Sequence, residues 1–542
     1  MQLRSIKTVF WLVAVLVIAS LILIACGAAA TATPTKAPAA APTTPPAPAA
    51  QPTAVPAAAG PSGKMTMVIG NEPASFDVGL KDDGNLRPIA NQVYERLIAL
   101  DNSAKMIPEL AEKWELQSDP TKWRFTLRKG VKFHDGEDFN ADDVVFSVKR
   151  AIDPNFKSEW LGNWETIKDA VKVDDFTVDI VTAAPDPVLL NRMLVFWMMP
   201  DKWTKAAGDK VHSEANGTGP YKLTSWARGQ KIMMTSNAAW WGGEKNLAFK
   251  DLEVQFREEP AVRLGMVKAG EAQFARNIPP DLAKEAPKTT TIAPFEVAFV
   301  RINEKFCDVL KDVKVRQALN HAIDRKGLAD KLFLGLAALP QGQLFSKGIP
   351  GFNNSITDYP YDVAKAKALV KEAGAEGKSI EFVMPSGRWT KDKELFETAA
   401  AMMSESGVKV VPKVVEWSKW LDALYAIGAA GKEKEAPCLQ GSYHSNEMMI
   451  PDRTYTNLVY SKGRMSGISD PDLDKQIEAL RTEMDAAKRA KGYEDLGKMT
   501  HDRARFSIPL VSPNLTQAIS KNIDWPWNPA DEVFVKYVKK TS

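Results

Sequence analysis

Residues 123–136 read Trp123-Arg124-Phe125-Thr126-Leu127-Arg128-Lys129-Gly130-Val131-Lys132-Phe133-His134-Asp135-Gly136, and Ala141-Asp142-Asp143-Val144-Val145-Phe146-Ser147 follows shortly after. Trp123, Phe125 and Leu127 alternate with Arg124, Thr126 and Arg128, the period of a strand with one buried face. Lys129-Gly130 then turns the chain into Val131 and Phe133, alternating with Lys132 and His134, so the segment reads as a half-buried hairpin. Past Asp135-Gly136, Asn140 is placed to cap a helix whose first turn holds Asp142 and Asp143 and whose apolar positions include Val144, Val145 and Val148. Carboxylates in a first turn meet the partial positive charge of the helix N-terminus, so these two acids read as helix charges. His134 reads as a hydrogen-bonded turn residue, not a general base.

Strands and helices alternate outward from this core. On the N-terminal side, residues 65–69 form a short apolar strand, and a turn-rich loop over 70–77 leads to a helical pattern around Val93, Leu97 and Leu100. On the C-terminal side, Phe176, Val178 and Ile180 alternate as another strand, and residues 189–197 are helical. The loop Asn216-Gly217-Thr218-Gly219-Pro220-Tyr221 is glycine-rich but lacks the Gly-Lys-Ser or Gly-Lys-Thr of a phosphate loop. Asp312 opens a helix with Val315, Leu319, Ala322 and Ile323 on one side, and Asp362 opens another with Ala366, Leu369, Val370 and Ala373 before Gly374. Strands over 379–384 and 408–415 bracket a helix over 393–404, a βαβ unit. Asp470-Pro471 starts a long helix marked by Leu473, Ile477, Leu480 and Met484. The fold class is α/β.

The 542 residues include 70 Lys plus Arg against 67 Asp plus Glu, with 45% hydrophobic and 25% charged. That balance excludes a disordered tail protein and gives no field to gather nucleic acid. Arg4 and Lys7 precede an uncharged run from Val9 to Ala25, the head and body of a secretory signal. The run ends Leu23-Ile24-Ala25-Cys26-Gly27, which matches the bacterial lipobox. Resemblance to bacterial lipoproteins implies cleavage before Cys26 and lipidation of its sulfur. From Gly27 to Gly63 the chain is almost wholly Ala, Pro and Thr, with Lys36 its only charge. Such a tether favours extended polyproline II and spans up to roughly 100 Å. Only Cys307 and Cys438 remain in the exported part, either as a disulfide or as two buried thiols. No paired CxxC and no HExxH exists, so no metal site and no cofactor is expected.

Pro108-Glu109-Leu110-Ala111-Glu112-Lys113-Trp114, the stretches 125–136 and 141–147, and Gly217-Thr218-Gly219-Pro220-Tyr221 together resemble, in order, the extracellular solute-binding proteins of peptide and nickel ABC transporters. The resemblance continues at Val313-Lys314-Val315-Arg316-Gln317-Ala318-Leu319, at Ala322-Ile323-Asp324-Arg325 and at Ala364-Lys365-Ala366-Lys367-Ala368-Leu369. It covers essentially everything from Lys64 onward. It implies a periplasmic-binding-protein type II fold, with two α/β lobes joined by two crossing segments and an extra domain inserted into the first lobe. By position, residues 1–25 are the signal peptide and 26–63 the tether. Lobe I is assembled from 64–100, 214–296 and 508–542, the inserted domain is 101–213, and lobe II is 297–507.

The resemblance also implies a monomeric receptor without enzymatic activity, exported and lipid-anchored to the outer face of the cytoplasmic membrane. It captures a small solute, a peptide or a peptide-like molecule, and delivers it to ABC permease subunits. In peptide-binding relatives an Arg shortly after a second-lobe strand holds a ligand carboxylate, and Arg388 falls in that place; its planar fork suits the role. The relatives' acidic, Trp-containing loop for a ligand ammonium corresponds to residues 441–452, where the pattern is poorly kept. Glu447 or Asp452 stands in for the missing acid, while Tyr443, His444, Asn446 and the methionines suit an uncharged or partly apolar ligand. Trp417, at a cleft-edge motif with Glu416, joins Trp389 and Trp420 as rings able to stack on a sugar, so an oligosaccharide is the alternative ligand. From other classes, an exported hydrolase lacks the GxSxG elbow, and a sensory receptor would share this fold without a permease.

Overall fold

The computed structural model describes residues 60–542, except 294, 428–430, 433, 434, 528, 529 and 542. The signal peptide, Cys26 and nearly all of the tether lie outside the described residues.

Two sheets carry the architecture. The first has seven strands in the order Lys288–Ile292, Leu515–Ile519, Phe274–Ala275, Lys64–Ile69, Asp251–Phe256, Lys231–Ser236 and Tyr221–Ala227. Its central strand Lys64–Ile69 runs parallel to Asp251–Phe256, as a strand buried on both faces does. Met65, Met67 and Ile69 enter the larger apolar core. Val68 points the other way, into a smaller core with Leu264 and Val267 of the Pro260–Lys268 helix. The second sheet has six strands, in the order Ala337–Ala338, Ser507–Pro513, Glu296–Ile302, Leu439–Ser445, Ser379–Pro385 and Lys409–Val415. Ala298, Val300 and Ile302 face one core and Val297 and Phe299 another. A four-stranded antiparallel sheet, Ala111–Leu116, Lys122–Leu127, Thr177–Thr182 and Ile167–Asp174, packs with its helix Ala141–Ile152 on the larger core.

The chain passes between the two large sheets twice, once after Ile292 and once at Asn514. The strand Ser507–Pro513 pairs antiparallel with Glu296–Ile302 in the second sheet, so the second passage lies at 514 and not at 508. Thr291 and Thr516, on the paired first-sheet strands that lead into and out of these passages, bond through their hydroxyls at 3.0 Å. Two short covalent links between lobes are the geometry of a hinge. Cys307 and Cys438 are joined as a disulfide inside the second lobe, closing a span of 131 residues.

Three local expectations change. Residues 131–134 do not pair with 123–128, because both edges of Lys122–Leu127 are taken by Ala111–Leu116 and Thr177–Thr182. Val131, Phe133 and Phe139 instead bury as a tight loop. The helical pattern around Val93 to Leu100 ends at Val93, and Ile98–Leu100 is a strand against Met106–Pro108. The long helix from 471 breaks in two: Pro471–Leu480 stops, and the Asp485 carboxylate accepts from the amides of Ala487 and Lys488 to start Ala486–Asp502. Elsewhere the helix read over 189–197 is present but shorter, as Leu189–Met193, Asn140 caps Ala141–Ile152 in a capping box with Asp143, and Ser379–Pro385, Asp392–Ser404 and Lys409–Val415 form a parallel βαβ unit.

Candidate functional site

The loop after Ser379–Pro385 is held by one carboxylate. Asp392, in the first turn of its helix, accepts from the backbone amides of Gly387 at 3.0 Å, Arg388 at 2.9 Å and Trp389 at 2.9 Å. Gly387 has a φ of +82°, a conformation glycine adopts without strain. Pinned this way, Arg388 projects away from its own sheet toward the first lobe. A Cβ at Gly84 would lie 2.1 Å from Arg388 Nη2, so the guanidinium packs directly against this glycine of the first lobe.

Behind Arg388 stands an aromatic wall. Its guanidinium carbon lies 5.1 Å from the Trp389 ring and 5.7 Å from Trp417. Trp417 stacks on Trp420 at 4.7 Å, and Trp389 stacks on Tyr443 at 4.8 Å. Trp420 Nε1 donates to the Gly441 carbonyl at 2.8 Å, and the Tyr443 hydroxyl donates to the Thr390 carbonyl at 3.3 Å, so both rings are oriented by hydrogen bonds.

A cavity, partly open to solvent, is lined from both lobes. Arg388, Trp417, Tyr443 and His444 all face it, and Asn446 lines an adjoining space that shares Arg388. The five candidate ligand residues therefore border one interlobe region. Asn446 donates to the carbonyls of Phe295 at 2.9 Å and Leu344 at 3.0 Å, tying the cleft floor to the first crossing segment. His444 Nε2 meets the Thr454 hydroxyl at 2.6 Å. Burial, with Arg453 nearby, lowers its pKa to about 3, so the ring is neutral at physiological pH.

The charge of the cavity departs from expectation. Arg87, Arg301, Arg388, Arg453 and Arg464 line it against a single carboxylate, Asp82. That lining does not suit the uncharged or partly apolar ligand read from residues 443–449. The methionines do not provide an apolar surface either: Met448 is buried in the larger core and Met449 packs against it. Glu447 and Asp452 are not free for a ligand ammonium. Glu447 is 4% exposed and pairs with Arg453, and with Arg87 at 2.9 Å. Burial pushes its pKa up, but Arg453 and Arg87 outweigh that and hold it at about 2. Asp452 accepts from Arg192 at 2.7 Å and from the Tyr493 hydroxyl at 3.2 Å.

Asp82, Arg87, Glu447 and Arg453 close a ring across the lobes, since Arg87 also reaches Asp82 at 3.0 Å and Arg453 reaches Asp82 at 3.1 Å. The first two residues precede and begin the helix Arg87–Val93, and the last two follow Leu439–Ser445. Sequence reasoning missed this ring, along with Arg301, Arg464 and Glu296. Only the fold brings their distant segments together, and no local pattern marks them.

His134 is a fold residue. Its amide donates to the Gly217 carbonyl at 2.9 Å, its Nε2 meets the Gly219 carbonyl at 3.1 Å, and the Asp135 carboxylate accepts from Asn216 Nδ2 at 2.6 Å.

A sequence model described as "Bacterial extracellular solute-binding proteins, family 5 Middle" matches residues 105–436. Heme-binding protein A of Haemophilus influenzae is 28% identical over 480 residues, covering 81% of this chain and 85% of its own. The dipeptide-binding protein of Escherichia coli is 31% identical over 385 residues, covering 65% and 71%. Among solved structures, the ABC transporter-associated periplasmic binding protein DppA from Helicobacter pylori, in complex with the peptide STSA, superposes with a TM-score of 0.78. It covers 89% of this chain and 98% of its own at 20% identity, a likeness of fold.

Proposed function

Because the chain belongs to the bacterial extracellular solute-binding proteins of family 5, we propose that it is the membrane-tethered receptor of an ABC importer, enclosing a peptide or peptide-like solute between its lobes and delivering it to a permease. The observation that carries the ligand class is Arg388. Its guanidinium is presented into the interlobe cleft by a loop locked on Asp392, backed by Trp389 and Trp417, and its buried Nε has no hydrogen-bond partner. Glu296, Asp83 and Asp531 lie near enough to act on this guanidinium, but among the described residues none pairs with it directly, and a ligand carboxylate in its planar fork offsets the remaining cost of burial. The relatives named for dipeptides support the same class. An oligosaccharide would use the aromatic wall but leave the arginines unmatched.

Lobe closure then follows from contacts that exist only when both lobes meet, with ligand shifting the population toward the closed form. The receptor acts as a monomer. The charged head, the apolar run and Ala25-Cys26 support export and acylation of Cys26, which places the receptor on the outer face of the cytoplasmic membrane.

Native mass spectrometry of the full chain from its original host, followed by denaturation, identifies the co-purified solute. A released peptide is expected, and Arg388→Ala is expected to weaken its rebinding at least about tenfold, the scale of one lost charge-assisted contact. A neutral sugar whose affinity is unchanged in Arg388→Ala overturns the peptide reading. Metabolic labelling with palmitate tests the anchor: the wild type should carry label and Cys26→Ser should not.

A further inference from the structure

Arg87 and Arg453 are neutralised by Asp82 and Glu447, but two other arginines of the cavity have no such partner among the described residues. Arg301 lies on Glu296–Ile302, is 4% exposed, and makes one side-chain hydrogen bond, from Nη1 to the Met465 carbonyl at 2.7 Å. Its Nε is buried and unpartnered. Burial draws its pKa down to about 9, which leaves it charged at neutral pH. Arg464, one residue before Met465, rests on the face of Tyr425 at 4.2 Å and, among the described residues, forms no ion pair. Both side chains border the same cavity as Arg388. The lining offers nothing to balance them, because Asp82 is already shared by two arginines and His444 is neutral.

Two buried or half-buried cations facing a cleft that is only partly open to solvent, with no acid paired to them among the described residues, are a receptor for an anion that the protein does not itself supply. We propose that Arg301 and Arg464 form a second anion subsite, so that the solute carries an acidic group in addition to the carboxylate held by Arg388. This rests on the solute-receptor reading above and narrows it: the cargo is an acidic peptide or a peptide-like molecule with at least two anionic groups. Binding a second carboxylate there satisfies the Arg301 Nε and supplies the counter-charge the cavity lacks.

The test is isothermal titration calorimetry of the full chain with three pairs of tripeptides, in which Gln and Glu are exchanged at each position of an otherwise all-alanine sequence. The two side chains have nearly the same shape, so the pair isolates charge. At one position the Glu peptide is expected to bind at least about tenfold tighter than its Gln partner, the fold-change of one charge-assisted contact. Arg464→Gln, at a half-buried side chain that forms no hydrogen bond among the described residues, is expected to abolish that preference and leave the Gln peptide within about twofold. Arg301→Gln is the second variant. Equal binding of every pair, or a preference that survives both substitutions, overturns the subsite. If no tripeptide binds, the peptide reading fails, and citrate in a thermal-shift assay then reads the subsite alone. A rise in Tm that is lost in Arg464→Gln and Arg301→Gln upholds it, and no rise, or one that persists in both, overturns it.

Discussion

Glu296, at the start of its strand between Arg276 and Arg388, is the cleft acid that changes charge near neutral pH. Burial pushes its pKa up to about 7, against the pull of Arg388 and Arg276 and of the Trp389 indole that donates to it at 3.2 Å, with Asp531 adding to the rise. The native state thus keeps a proton that the unfolded chain releases near 4.5. From this group alone, stability is full below about 4.5 and falls as pH rises toward about 7, with a slope of at most ~1.4 kcal/mol per pH unit. Urea midpoints measured from pH 4 to 8 should show that decline, and Glu296→Gln should lack it; parallel profiles would refute the assignment. The same proton matters for ligand. Protonated Glu296 no longer offsets Arg388, so carboxylate affinity is expected to be higher at pH 6 than at pH 8 in the wild type, and level in Glu296→Gln.

Two of the sequence stretches that resemble the family meet as elements. The loop 131–139 and the loop 216–221 bond through His134, Asp135 and Asn216, and the second loop packs on the end of Arg87–Val93. A Cβ on Gly217 would sit 2.0 Å from the Val93 carbonyl oxygen, a rigid backbone atom. Gly217→Ala is therefore expected to destabilise by about 1–3 kcal/mol through overpacking, read as a lower urea midpoint with an unchanged slope. An unchanged midpoint would show that the loop can yield. Pro471–Leu480 also packs closely on a glycine of Ala486–Asp502, but there a Cβ on Gly492 would meet Leu480 Cδ2 at 2.1 Å, a side-chain end that can move aside.

At the scale of the molecule, the ring of Asp82, Arg87, Glu447 and Arg453 joins the two lobes. Arg192 with Asp452 adds a second pair between the inserted domain and the second lobe, and Lys391 with Asp281 at 3.1 Å a third. These pairs are strongest when closure excludes water from them, so they bias the hinge toward the closed form. Arg453→Ala leaves Glu447 with one partner and is expected to open the apo protein, raising its radius of gyration in small-angle X-ray scattering. The ligand should restore compaction at a higher Kd. An unchanged radius in the apo variant would show that other contacts set the closed state.

The α/β class, most caps and strands and the family were legible in the chain itself, because they rest on local periods and on contiguous motifs. Arg388, Trp417, Tyr443, His444 and Asn446 were proposed only through the resemblance, and what the structure adds is that all five border one interlobe region. The pairing partner of 123–128 was not legible, since which edge a strand offers depends on segments far away in sequence. For the same reason, the roles of Glu447 and Asp452 were misread: each looks like a free acid in its loop, and only folding brings Arg87, Arg453 and Arg192 to it. The sequence alone determined, by resemblance and pattern, that this is a two-lobed solute-binding protein. The tertiary structure alone decided the charge of its cavity, because net charge is a sum over the chain whereas a binding cleft gathers a few side chains from both lobes and excludes the rest.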